Sequence, residues 1–398
     1  MLSAVLLIAC QTAGAPAETG RVLDVGVALT MDERKVIHNA RIVIDAEGKI
    51  AALGRQSEVE APQGWPLLSH PQSFAWPGGI DLHSHTHTGG WGDINDMVHP
   101  DNPELRTLDT IVADNHLHRL GRSGGVTMVN AIPGSGTNIS GAGTLIRLRP
   151  RDLVEDVIER YPGSVKVAQG YNPERNGDLG GTRMGMWWML RWYLNEAKIA
   201  TAEGPPESNP ELASLVGIFQ EHHPFLVHTA GARDTYGTAR MFQLEAKVPV
   251  IVSHGSFNGY EAGAALAEIN AQLNIGPRNF DFSFNQEAKF RGLVEAYESS
   301  GNEDISVQTD AGVIPQEEYV FQATLAEWLG ASTWTALESL SMRPAAQIMV
   351  DDHLGRLKVG FDADIVVSLG QPLDPRAPVE LVLVEGEIAY DMRDGQLY

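Results

Sequence analysis

From Gly79 to about residue 330 the chain repeats one rhythm: a short apolar run, a polar loop, an amphipathic span, then another apolar run. Residues 126–131, 164–169, 225–228, 248–253 and 304–310 read as buried strands, with shorter candidates at 143–148 and 272–276 and a first strand opening at Gly79. Helical spans are expected at 105–120, 184–200, 210–221, 235–246, 260–272, 287–299 and 317–329. Repeated strand-then-helix units produce a parallel sheet. About eight units in roughly 270 residues match a (β/α)8 barrel, whose usual size is about 250 residues.

The flanking segments have a different texture. Residues 21–29, 40–44 and 49–53 alternate as short strands, with Asp45-Ala46-Glu47-Gly48 as a hairpin-like turn, and 364–369 and 381–390 return to the same pattern. The chain therefore divides into a leader and tether (1–20), the first half of a small β-sandwich (21–77), the barrel (78–350) and the second half of the sandwich (351–398). The fold expected is α/β, a barrel inserted into a β domain built by both chain ends.

Charge narrows the partners. A net charge of −22 with no basic run repels phosphates, so nucleic acid is excluded as a partner. The single cysteine, Cys10, rules out a disulfide framework and a thiolate metal cage. It follows an apolar stretch, and Leu7-Ile8-Ala9-Cys10 resembles a bacterial lipoprotein signal ending in its lipidated cysteine, although a basic n-region is missing. Export to the periplasm and a membrane tether through Cys10 are expected, with a cytoplasmic protein as the alternative. The chain is compatible with a homo-oligomer.

In a barrel of this kind function sits at the C-terminal ends of the strands. In Pro77-Gly78-Gly79-Ile80-Asp81-Leu82-His83-Ser84-His85, two histidines two residues apart point to the same side of a strand end, which is half of a metal site. Lys166, His228, His254 and Asp310 also end apolar runs. Any one of these could be a satisfied core group; all of them at one rim point to a metal centre.

These motifs resemble those of the amidohydrolase superfamily. The match rests on Pro77-Gly78-x-Ile80-Asp81-x-His83-x-His85, the strand-ending His228 and His254, Asp310, and the tail Gly355-Arg356-Leu357-x-x-Gly360-x-Asp362-Ala363-Asp364-Ile365-Val366. The chain looks closest to imidazolonepropionase-like and prolidase-like members, and 165–173 with the loop 133–143 resemble a secreted bacterial branch. Gly79 departs from the bulky residue usual before Ile-Asp. The resemblance implies two divalent metal ions, with zinc the expected species. His83 and His85 would bind one with Asp310, His228 and His254 the other, and Lys166 would bridge both as a carbamate. It implies hydrolysis of an amide, peptide or cyclic amide C–N bond by metal-activated water, with Asp310 as the catalytic proton shuttle.

The other expectations are local. Tyr171, Arg175 and Arg183 follow the Lys166 strand and are candidate contacts for a small-molecule or peptide substrate, an arginine there suiting a carboxylate. Trp187, Trp188 and Trp192 at helical spacing are expected in the core. The glycine-rich loop 134–143 lacks a following Lys-Ser or Lys-Thr, so it is expected to let backbone approach the substrate rather than cradle phosphate. Two rivals remain: a mononuclear enzyme of the imidazolonepropionase or deaminase type, disfavoured because no acid follows His228 until Asp234, and a non-catalytic scaffold, which should have lost ligands that are all present here.

Overall fold

A computed structural model describes residues 19–90, 92, 94–174, 181–204, 211–282 and 290–394. Cys10, with the leader around it, and Arg175 lie outside the described residues. No described helix is long and apolar enough to cross a membrane.

Strand segments from both ends of the chain share one seven-stranded sheet. Its order is Glu387–Asp391, Val379–Val384, Ile365–Ser368, Leu67–Pro77, Arg21–Leu29, Val36–Ile44 and Ile50–Arg55. Period-two alternation explains its burial. Ile365, Val367, Leu381 and Leu383 pack into one cluster with Leu23, Val25 and Ile42, while Val366, Val382 and Val384 face the main core of the chain. The turn at Asp45 forms as expected: Lys49 N donates to Asp45 Oδ1 at 2.7 Å and Gly48 has φ +78°. The strand Leu67–Pro77 was not expected, because Ser69, His70, Pro71, Gln72 and Ser73 give it no apolar run until its last residues.

The central residues form two further ladders. In the six-stranded one, Val165–Ala168, Phe225–His228, Val250–His254, Gln272–Ile275 and Ile305–Val307 are parallel in that order, with Ile139–Ala142 antiparallel at the edge. In the four-stranded one, Gly79–Ser84 runs parallel to Val126–Ala131, and Thr144–Arg147 and Ile158–Arg160 follow antiparallel. The ladders touch at both edges. Gly143 N donates to Ser164 O at 2.7 Å on one side, and His85 N donates to Ala311 O at 2.6 Å on the other.

The strict strand-then-helix rhythm fails at the third strand, and the reason is length. A parallel crossover needs a dozen or more residues. The stretch between Val126–Ala131 and Ile139–Ala142 is far shorter, so the chain reverses and pairs antiparallel on both sides. The helix expected at 105–120 is also shorter. It begins at His116, where Asn115 Oδ1 accepts from Leu117 N at 2.9 Å and His118 N at 3.2 Å.

Strand parity places the chemistry. Phe225, Val227, Val250 and Val252 belong to the main hydrophobic core, whereas Leu226 and Ile251 pack in a separate cluster with Ile80, Leu82 and Met128. Lys166 pairs with Leu226, and His228 pairs with Ser253, so these polar residues share the Leu226 side. Of the three tryptophans, Trp187 packs against the main core as expected and the other two depart. The helix Arg183–Glu203 buries Met186, Met189, Leu190, Tyr193, Leu194 and Ala197, but Trp188 and Trp192 lie off that stripe and are 60% and 39% exposed.

Candidate metal centre

His83, His85 and Asp310 converge. One ligand atom from each lies within 4.8 Å of the others. Asp310 Oδ1 is 3.2 Å from His83 Nε2 and 3.1 Å from His85 Nε2. His254 joins the group with its ring 4.6 Å from that of His83, and the His228 ring stands 4.3 Å from His254. Lys166 Nζ lies 3.3 Å from His83 Nε2 and donates to Ser135 Oγ at 2.9 Å. All four histidines and Lys166 are buried. The six residues named from the sequence therefore meet in one place.

Each side chain is aimed by its neighbours. Asp81 accepts from His83 N at 3.1 Å on one oxygen. Its other oxygen accepts from Gln316 Nε2 at 2.6 Å and from Thr309 Oγ1, so it ties the His83 strand to the residue preceding Asp310. Burial pushes the Asp81 carboxyl up to about 7 although Thr309 and His83 N–H oppose the shift. His83 Nδ1 is 2.7 Å from Ser253 Oγ. His85 Nδ1 faces Ile132 O at 2.9 Å and His254 Nδ1 faces Gly276 O at 3.1 Å.

The Ile132 carbonyl only accepts, so Nδ1 carries a proton in His85. His254 Nδ1 lies between the Gly276 carbonyl and Gln308 Nε2. His85 Nε2 faces a carboxylate oxygen of Asp310 at 3.1 Å. His254 Nε2 and His228 Nδ1 are buried with no partner among the described residues. A divalent cation would supply an electrophile to these atoms, and imidazole and carboxylate are the donors zinc takes. The site fits a metal.

Electrostatics agree. Burial, then the charge on Lys166, holds His83 well below the ordinary histidine value. Burial and His254 do the same to His228, and burial brings His254 down to about 4. All three are neutral at physiological pH, the form a metal binds. Burial brings Lys166 down to about 7, against the pull of Asp310, so a large share of its amine is unprotonated at neutral pH. Burial would raise Asp310, but the polar side chains around it, His85 first and then His254 and Lys166, outweigh it and keep the carboxyl below its usual range.

Several supporting residues were not named from the sequence. Ser135 was expected to matter only through its loop's backbone, yet its side chain meets Lys166. Ser253 shows as the polar interruption in Val250-Ile251-Val252-Ser253, with the parity of His228. Gln308 Nε2 reaches His254 Nδ1 at 3.0 Å, and only tertiary structure shows that. His87 is fully buried, with neither ring nitrogen bonded among the described residues. Outer partners of this sort set ligand orientation, so Ser253→Ala is expected to weaken metal affinity by about 10–100-fold. Competition with a chelator would measure it, and unchanged affinity would remove Ser253 from the support of His83.

Of the substrate candidates, Tyr171 stands exposed at the rim. Arg183 is engaged already, by Asp234 at 3.0 Å and Glu174 at 3.1 Å.

No family model matches the chain. A crystal structure of an amidohydrolase from Thermotoga maritima MSB8 superposes with a TM-score of 0.81 at 25% identity, covering 93% of this chain and 99% of the other. An amidohydrolase of Hapsidospora irregularis is 24% identical over 368 residues, 78% of this chain but 36% of its own length, so the chain spans about a third of that relative. A Xaa-Pro dipeptidase shares the fold, with a TM-score of 0.58 at 16% identity over 94% of this chain and 100% of the other. The chain thus has the fold of the Thermotoga maritima amidohydrolase over nearly its whole length, and its histidines, lysine and aspartate converge at one place in that fold.

Proposed function

We propose that the protein is a metal-dependent hydrolase of carbon–nitrogen bonds in an amide, peptide or cyclic amide. The observation that carries this reading is the convergence of His83 and His85 on Asp310, with the buried rings of His254 and His228 beside them. His83, His85 and Asp310 would hold one divalent ion, and His228 and His254 a second. The unprotonated amine of Lys166 would take up carbon dioxide with loss of a proton to give a carbamate, an anion whose oxygens are donors a divalent ion takes. Zinc suits this donor set, and bound divalent ions acidify water and polarise a carbonyl.

The chain's own residues do the rest. Asp310, ionised because His85, His254 and Lys166 offset its burial, accepts a proton from the attacking water. The C–N bond breaks as that proton passes from Asp310 to the leaving nitrogen. Asp81 and Thr309 hold the Asp310 segment against the His83 strand while this happens. The fold reading extends in the same way. The two ladders are taken as one closed (β/α)8-type barrel with a reversed third strand, and the seven-stranded sheet as a sandwich curled on its own cluster.

Elemental analysis of zinc-loaded protein should find about two ions per chain, and Lys166→Ala should hold about one. Well under one ion in active enzyme would sink the metal reading; two ions in Lys166→Ala would remove the bridge. The activity itself is tested by hydrolysis of dipeptides, N-acyl amino acids and cyclic amides with and without chelator. Chelator-insensitive turnover would overturn the proposal.

A further inference from the structure

Two exposed aromatic side chains meet at the mouth of the metal centre. Tyr171 lies three residues past the end of the strand Val165–Ala168, and Phe257 three residues past His254, the last residue of Val250–His254. Their rings stack 5.9 Å apart between centroids, with planes 27° from parallel. Tyr171 is 71% exposed and Phe257 62%. The strand between theirs is Phe225–His228, so the two loops reach toward each other across the strand that ends in His228. Both loops are tied to that strand and its continuation: Gln169 N donates to His228 O at 2.9 Å, and Gly231 N donates to Ser256 O at 3.0 Å.

Both rings are carried on strained backbone. Tyr171 has φ +59° and Phe257 φ +53°, both in the left-handed region that bulky residues rarely occupy. Such a backbone persists only where its surroundings impose it, and such sites cluster at ligand clamps and active sites. Here the surroundings are visible. Tyr171 N donates to Glu174 Oε1 at 3.3 Å, and Asn258 N, next to Phe257, donates to Asp281 Oδ2 at 2.5 Å. The side chains so positioned gain little from burial, since most of each remains in water. Two costly backbone conformations that bring two exposed rings together, on loops flanking the strand that ends in His228, are accounted for by a ligand that covers them.

We propose that Tyr171 and Phe257 form a clamp for an aromatic side chain of the substrate, next to the scissile C–N bond. The statement about the scissile bond rests on the hydrolase reading above; the clamp itself rests on the rings. Aromatic rings associate at centroid separations of about 4.5–7 Å, so a third ring extends the stack on an open face. Arg183 is held by Asp234 and Glu174, so among the described candidates in this loop the ring pair is the group open to a ligand.

The test uses zinc-loaded full-length protein and two probes, N-acetylphenylalanine amide and N-acetylglycine amide, with binding measured by calorimetry and cleavage followed separately. Wild type is expected to bind the phenylalanine probe roughly ten-fold more tightly than the glycine probe. Tyr171→Ala and Phe257→Ala should each reduce that ratio to about three or less. Tyr171→Phe keeps the ring and should keep the ratio. Trp328→Ala, which removes another exposed aromatic at the end of the helix Tyr319–Trp328, should also keep it. No preference in wild type, or an unchanged ratio in both alanine variants, overturns the clamp. A preference that both alanine variants lose, in a protein that cleaves no amide tested, supports the clamp and removes the hydrolase reading instead.

Discussion

Asp310→Asn should lower kcat by about 10²–10⁴-fold, the range typical of a lost general acid–base. The substitution preserves size and removes basicity at the carboxylate that stands 3.1 Å from His85 Nε2 and 3.2 Å from His83 Nε2. Because Asp310 is also a candidate ligand, metal content must be measured on the sample used for kinetics. Asp304 is the control. It precedes Ile305–Val307 on the far side of that strand, and its Oδ1 accepts from Gln347 Nε2 at 2.9 Å, a bond an asparagine carbonyl also makes. Asp304→Asn should therefore turn over at near the wild-type rate. If Asp310→Asn keeps its metal and its turnover on a confirmed substrate, another group carries the proton.

A comparably large effect, on stability rather than rate, is expected from Arg147→Ala. Arg147 is fully buried on Thr144–Arg147, within the four-stranded ladder. Its guanidinium meets Glu159 at 2.9 Å through Nε, Asp364 at 2.7 Å through Nη1, and Asp362 through Nη2; Lys49 also pairs with Asp362. Asp362 and Asp364 stand just before Ile365–Ser368 in the seven-stranded sheet, so one cation joins that sheet to the four-stranded ladder. Removing it strands buried carboxylates, which costs about 3–5 kcal/mol where one partner of a buried pair is deleted. Arg147→Lys should recover only part of the loss, since an ammonium cannot serve three carboxylates in a planar fork. Equilibrium denaturation of the metal-loaded protein measures this. A loss under about 1 kcal/mol would mean that the cluster behaves as a solvent-screened surface pair.

The two experiments probe different links. The Asp310 variant tests bonds that would change during the proposed reaction, whereas the Arg147 variant tests the joint between the seven-stranded sheet and the four-stranded ladder. The tail motif Gly360-x-Asp362-Ala363-Asp364 acquires a physical reason from this: its two aspartates receive a buried arginine from a strand more than two hundred residues earlier.

Much of this protein was legible in its sequence because the relevant information is local. Apolar runs of four to six residues mark strands, and a polar residue ending such a run marks a strand end; His83, His85, Lys166, His228, His254 and Asp310 were all found that way. What the sequence could not express is anything that depends on two distant segments meeting. The third strand reverses because its connection is too short for a crossover, and a period-two pattern reads the same in either direction. Leu67–Pro77 pairs as a strand because Arg21–Leu29 and Ile365–Ser368 lie on either side of it, not because its own residues favour the state. Ser135 reaches Lys166, and Gln308 reaches His254, across separations of 31 and 54 residues. The proton on His85 Nδ1 follows from the carbonyl of Ile132, which belongs to another strand's loop. Residue type and spacing determined which side chains could carry the chemistry. Only the tertiary structure decided which ligand atoms are left facing one another, because that depends on what each donor's other end has already bonded.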